Sequence, residues 1–229
     1  MEAKSAAEAP GLTMFLFHGP ADATVTILLA HGAGAPMDSA SMTAISNALA
    51  AAGMLVARFE FAYMASRRNS NVRRPPPRAE TLRSEYMAAV DTLNAAGPLI
   101  IGGKSMGGRV ASMVADDLYS SGRIVGLLCV GYPFHPVSKP DQLRTAHLRE
   151  IKTPTLIVQG TRDPFGTREE VAAYKLSRMI EILWLEDGDH DLKPRKAASA
   201  FSAFDHQKMM TDRVKAWGRM LSTPAISLG

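Results

Sequence analysis

The sequence holds one cysteine, Cys129, set in an apolar run from Ile124 to Val130. A lone cysteine excludes a disulfide framework and any cysteine-based zinc site, and it fits residence in a reducing, cytoplasmic compartment. Long hydrophobic runs are also missing, since no stretch approaches the roughly 18 apolar residues that a membrane span needs. The first ten residues carry acids and no apolar centre, so a secretion signal is not expected, and residues 1–12 read as a disordered N-terminus. A strong charge excess is absent as well: 26 Lys+Arg stand against 22 Asp+Glu. What remains is a chain of 229 residues, 46% of them hydrophobic, expected to fold as one domain over residues 13–229 around a sizeable core.

The small positive balance is concentrated in one place. Arginines 58, 67, 68, 73, 74, 78 and 83 fall in a single window with only two acids, Glu60 and Glu80. That window includes Arg-Arg-Pro-Pro-Pro-Arg, which cannot continue a core helix, so 62–78 reads as an irregular surface loop. Tyr63 is its one aromatic residue, so a base-stacking platform for nucleic acid is lacking.

Elsewhere, short apolar runs rich in β-branched residues alternate with longer amphipathic stretches, the pattern of β and α units in a mostly parallel sheet. Strands are expected at 14–18, 25–31, 55–61, 99–103, 124–131, 155–160 and 180–185. Helices are expected at 41–52, 79–96, 107–121, 168–176 and 204–221, with Gly53, Gly97 and Gly122 as stops. The irregular stretch 132–154 is too short for a substrate-covering insertion and has room for a turn or two of helix.

The chemistry concentrates after the fourth reliable strand, at Gly103-Lys104-Ser105-Met106-Gly107, with a helical stretch immediately behind it. Gly-x-Ser-x-Gly between strand and helix forces a sharp turn, where a side chain at 103 or 107 would collide with a neighbouring element. The turn lifts the Ser105 hydroxyl above the sheet and directs the Met106 backbone N–H toward a developing oxyanion. A phosphate-cradling loop is the wrong reading of Gly103-Lys104-Ser105. Its first glycine would fall on Pro98, and strand residues occupy its loop positions.

This segment resembles the nucleophile elbow of the α/β-hydrolase family, and the resemblance runs from about Thr26 to Leu221. It implies an α/β-hydrolase fold, with a mostly parallel sheet of about seven strands flanked by helices and little or no lid. The family order of Ser, Asp, His is matched by Ser105, by Asp163 after the strand 155–160, and by His190 after the strand 180–185. The second oxyanion donor is assigned by resemblance to Ala33 in His31-Gly32-Ala33-Gly34, with Gly34 as the neighbouring alternative. Within the family the chain is similar to small, lid-poor, dienelactone-hydrolase-like enzymes, although their nucleophile is a cysteine. It is closer still to the subgroup that includes the third subunit of the nuclear NSL histone-acetyltransferase complex and its bacterial relatives. That closer likeness is carried by His-Gly-Ala-Gly, Arg58-Phe59-Glu60-Phe61, Arg-Arg-Pro-Pro and Gly-Lys-Ser-Met-Gly-Gly-Arg.

The resemblance implies a serine hydrolase that cleaves an ester, thioester or related acyl bond through an acyl-enzyme, with no cofactor and no metal. Its partner is then a small-molecule acyl substrate, with no nucleic acid or membrane involved; the oligomeric state is left open. The competing class is a non-catalytic hydrolase-fold module that binds a protein partner. Competing single-residue readings are an Asp-Pro turn at Asp163 that merely caps the next helix, and His206 or His31 in place of His190. Asp187, Asp189 and Asp191 read as solvated loop acids, any of which could orient the histidine if Asp163 does not reach it. Arg67, Arg68, Arg73 and Arg74 follow the third strand and so flank the strand ends that present Ser105. They are candidate contacts for an anionic substrate; a solvated face or a dock for an acidic partner is the competing reading.

Overall fold

A computed structural model describes residues 14–69 and 75–222. The disordered segment expected at 1–12 lies outside the described residues. Seven strands form one sheet: β1 (Phe15–His18), β2 (Thr26–Ala30), β3 (Leu55–Phe59), β4 (Leu99–Lys104), β5 (Gly126–Val130), β6 (Thr155–Gly160) and β7 (Ile180–Leu185). Their spatial order is β1-β3-β2-β4-β5-β6-β7. Only β1 runs antiparallel to its neighbour; every other pairing is parallel. Among the described residues six α-helices accompany them: α1 (Ala40–Ala51), α2 (Ala62–Asn69), α3 (Arg83–Leu93), α4 (Met106–Ser120), α5 (Arg168–Ala172) and α6 (Ala203–Ser222).

The strands are apolar on both sides because both sides are covered. Ile27, Leu29, Val56, Ile100, Leu128 and Leu156 face one layer with Met42 and Leu49 of α1 and Met210, Val214 and Trp217 of α6. Leu28, Ala57, Phe59, Ile101, Leu127 and Ile157 face the other, with Tyr86 and Val90 of α3 and Val110 and Val114 of α4. Burying each of the Val, Leu, Ile, Met and Phe side chains among them stabilises the fold by about 1.5–3 kcal/mol. No lid is evident among the described residues, and 132–154 holds a single short 3-10 turn, His147–Arg149.

All seven expected strands are present, but the region after β3 differs from expectation. Residues 62–69 are helix rather than loop. The Ala62 N–H at its start donates to Glu85 Oε2 at 2.7 Å, so the carboxylate that completes this helix comes from α3. Two further boundaries shift. Asn94, at φ 41°, ends α3 instead of Gly97, and α5 stops at Ala172. Arg58 is not part of a basic surface. It is buried, donating to the Met37 carbonyl at 2.7 Å, to Thr43 Oγ1 at 3.0 Å and to His18 Nδ1 at 3.2 Å. Burial pulls its guanidinium pKa below the usual value, against the opposing charge of Asp38.

Candidate active site

Ser105 occupies the single residue between β4 and α4, at φ 50° and ψ −117°. A non-glycine residue held at positive φ costs on the order of 1–3 kcal/mol and persists only where its surroundings over-determine it. Here the Ser105 N–H donates to the Val130 carbonyl at 2.9 Å, and the Ser105 carbonyl accepts from Arg109 N–H at 3.0 Å. The flanking glycines are required sterically. A Cβ on Gly103 would lie 2.5 Å from the Ala30 carbonyl oxygen, and one on Gly107 would lie 2.4 Å from the same atom.

Asp163 and His190 are brought together across two loops. Asp163, fully buried after β6, has its Oδ2 2.8 Å from His190 Nδ1. A buried carboxylate needs donors, and it has two more: Gln159 Nε2 at 2.9 Å to Oδ2, and Phe165 N–H at 2.9 Å to Oδ1. The hydrogen bond to Asp163 assigns the proton to His190 Nδ1 and leaves Nε2 as an acceptor. The His190 side chain is 22% exposed and packs on the Phe165 ring, with centroids 4.4 Å apart. It also lies over Gly131, where a Cβ would stand 3.3 Å from ring atoms Nδ1 and Cε1. Gly131 follows Val130, whose carbonyl holds the Ser105 N–H, so the end of β5 is a shared base for Ser105 and His190.

The loop after β2 approaches the same point: a Cβ on Gly32 would lie 3.7 Å from Ser105 Cβ. His31 organises this loop. Its Nε2 accepts from Phe61 N–H at 3.2 Å, so the proton sits on Nδ1, which donates to the Gly32 carbonyl at 2.7 Å. The hydroxyl of Tyr63, in α2, donates to the Ala33 carbonyl at 3.1 Å. Pinning the Gly32 carbonyl toward His31 turns the Ala33 N–H, on the far side of the same planar peptide, away from it. Met106, as the first residue of α4, has an N–H with no carbonyl one turn earlier to receive it within the helix.

The competing assignments separate cleanly. Thr167 and Glu170 cap α5 reciprocally, so Asp163 is not its cap. His206 Nδ1 bonds the Leu192 carbonyl at 2.8 Å, and His31 is committed to the loop it organises. The three nearby acids do not gather. Asp187 bonds Arg195 and Arg162, Asp189 Oδ1 accepts from the N–H groups of Asp191 and Lys193, and Asp191 pairs with Lys104 at 2.9 Å. Each therefore has a structural partner, Asp187 buried and Asp191 still exposed to solvent, and no cluster of His, Cys, Asp or Glu able to hold a metal occurs among the described residues.

Of the arginines, Arg67 lies in α2 with its guanidinium 5.2 Å from the centroid of the Tyr63 ring. Arg68 lies in the same helix, Arg73 and Arg74 lie outside the described residues, and Arg83 faces Asp117 at 3.6 Å. Two residues that sequence reasoning passed over matter here. Tyr63 was marked only as an aromatic in a loop. Gln159 is a buried amide ending an apolar strand, and a polar side chain in a strand covered on both faces must find partners, which was the available signal. Its Oε1 accepts from Tyr132 N–H at 2.7 Å while its Nε2 serves Asp163.

Together, these features define a doubly covered, mostly parallel α/β sheet with a serine turn, a buried Asp–His pair and a glycine loop at the carboxyl ends of its strands. A model of the alpha/beta hydrolase domain matches residues 23–219, and the chain belongs to that family. Its fold is similar to dienelactone hydrolase from Anabaena variabilis (TM-score 0.67, 19% identity, 90% of each chain covered). It is also similar to a thermophilic esterase from Thermogutta terrifontis (TM-score 0.65, 16% identity, 92% of this chain and 94% of that one). A serine hydrolase without lid from Xanthomonas campestris aligns over 94% of this chain and 99% of its own (TM-score 0.61, 16% identity). No helix among the described residues is long and apolar enough to cross a membrane.

Proposed function

We propose that this protein is a serine hydrolase that cleaves an ester, thioester or related acyl bond, with Ser105, His190 and Asp163 as its triad. The observation that carries the reading is the 2.8 Å contact between buried Asp163 and His190 Nδ1, set over the same strand end that holds the strained Ser105 turn. His190 Nε2 takes the Ser105 Oγ proton as the oxygen attacks the acyl carbon. Asp163 keeps the imidazole in the required tautomer and stabilises the imidazolium. The N–H groups of Met106 and Ala33 receive the oxyanion, the imidazolium returns its proton to the leaving group, and water then attacks the acyl-serine by the same route.

The likeness to the NSL-subunit subgroup belongs to this reading, resting on the motifs quoted above, as do residence in the cytoplasm and a single domain over 13–229. An anionic substrate is the finer part of the reading. Arg67 stacks on Tyr63, and Tyr63 holds the loop that carries Ala33, so one cation stands a single side chain away from the proposed oxyanion hole. A fluorophosphonate probe tests the core of the proposal. It should modify Ser105 in the wild type, located by mass spectrometry, and leave Ser105→Ala unlabelled and inactive on small activated esters. A wild-type protein that is neither labelled nor hydrolytic would favour the protein-interaction module instead.

A further inference from the structure

Lys104 closes β4 immediately before Ser105, yet its side chain serves another part of the molecule. It is 10% exposed and lines a cavity of about 150 Å³ with Ile45, Val130, His206 and Met210, in the layer of α1 and α6. An ammonium so enclosed is costly without partners, and both of its partners lie in the loop after β7. Nζ donates to the backbone carbonyl of His190 at 3.1 Å and pairs with Asp191 Oδ1 at 2.9 Å.

That loop is shaped in part by its own bonds, with Asp189 Oδ1 accepting from the N–H groups of Asp191 and Lys193 and the Asp189 N–H donating to the Lys193 carbonyl at 3.0 Å. Leu192, two residues after His190, sits at a positive φ of 62°, a conformation that such a side chain occupies only under constraint. Asp163 bonds one ring nitrogen of His190 and Phe165 packs against the ring, contacts that hold the imidazole but not the backbone that carries it. Holding the His190 carbonyl fixes the peptide plane behind the ring, and therefore the direction of its Cα–Cβ bond.

We propose that Lys104 is a positioning residue: a strut from the strand end that carries Ser105 to the backbone of His190, setting the distance between nucleophile and base independently of Asp163. This deepens the serine-hydrolase reading and rests on it. Because β4 supplies both the serine and the strut, the two catalytic groups move as one body. A catalytic geometry displaced by about 1 Å can cost on the order of 100-fold in rate, so the strut's loss should be read in kcat.

The test compares Lys104→Met with Lys104→Arg in the full chain, using 4-nitrophenyl acetate with active sites counted by fluorophosphonate titration. Lys104→Met should lower kcat by about 10- to 100-fold with KM within about twofold, and Lys104→Arg, which can keep both contacts, should retain most of the activity. Amide exchange at residues 189–193 should accelerate in Lys104→Met and not in Lys104→Arg, a readout that needs no catalysis. Unchanged exchange overturns the strut. Faster exchange with unchanged kcat per titrated site overturns its positioning role. If Lys104→Met does not fold, Asp191→Asn removes half of the clamp at a surface carboxylate, and unchanged kcat and exchange in that variant overturn the proposal equally. A wild type that the probe does not label, with exchange behaving as expected, overturns the hydrolase reading and the positioning role, and is distinguished by the strut's survival.

Discussion

Gln159 donates from its side-chain amide to Asp163 Oδ2 at 2.9 Å, the same oxygen that faces His190 Nδ1, while its other end accepts from the Tyr132 backbone. The acid is thus aimed by a residue four positions earlier in the chain that is itself tied to the loop after β5. Replacing this amide with Leu strands the buried Tyr132 N–H, whose carbonyl still accepts from Phe134 N–H, and removes a donor from a buried carboxylate. The expected cost is about 2–3 kcal/mol in urea unfolding, with kcat reduced at least tenfold in the protein that remains folded. An enzyme with unimpaired kcat would show that Asp163 is aimed at His190 without the Gln159 amide.

Ser105 should trade stability for reactivity. Ser105→Gly relieves the positive φ while keeping the backbone bonds to Val130 and Arg109. The variant should be inactive and up to about 1–2 kcal/mol more stable than wild type by urea titration, whereas Ser105→Ala keeps the strain and gains nothing. A destabilised glycine variant would mean that the turn is not strained.

If Arg67 meets the substrate, esters with a carboxylate or phosphate should show higher kcat/KM than neutral esters of the same size. The preference should fade between low and physiological salt, where screening acts over about 8 Å. Arg67→Gln should remove the preference and spare the neutral ester. Equal losses on both substrates would assign Arg67 to packing on Tyr63.

A separate pH effect resides at His147, whose Nε2 lies 2.8 Å from Ser112 Oγ. Burial first, and then the Arg109 guanidinium, push its pKa down to about 4 from the ordinary 6.5. The unfolded chain therefore takes up the proton before the folded one does. Stability is full above about pH 6.5, falls as pH drops toward 4, and is flat below that as far as this group is concerned. The loss amounts to at most about 3 kcal/mol, at 1.36 kcal/mol per pKa unit. Urea midpoints between pH 7.5 and 4 should show this slope in the wild type and a shallower one in His147→Gln.

The legible parts of this protein are those whose physics is local. Apolar runs such as 99–101 and 155–158 cannot be surface loops, and all seven strands fell where such runs predicted. The Gly103-x-Ser105-x-Gly107 turn was legible because its steric demand is written in the absence of two side chains. Asp163 and His190 were legible only through the order of a family, because they stand 27 positions apart and nothing in either segment points to the other.

What the chain alone determined is therefore the alternation of strands and helices, the doubly covered sheet and the placing of Ser105 in a turn at a strand end, since these follow from residue type and period. Only the tertiary structure decided the partners. It made a helix of 62–69 by supplying Glu85 from α3, took Arg58 out of the apparent basic patch, gave each of Asp187, Asp189 and Asp191 a different bond, and carried Lys104 to the carbonyl of His190. A charge or amide in a sequence states only that it must be satisfied, and which group satisfies it depends on which distant segment the packed core brings within 3 Å.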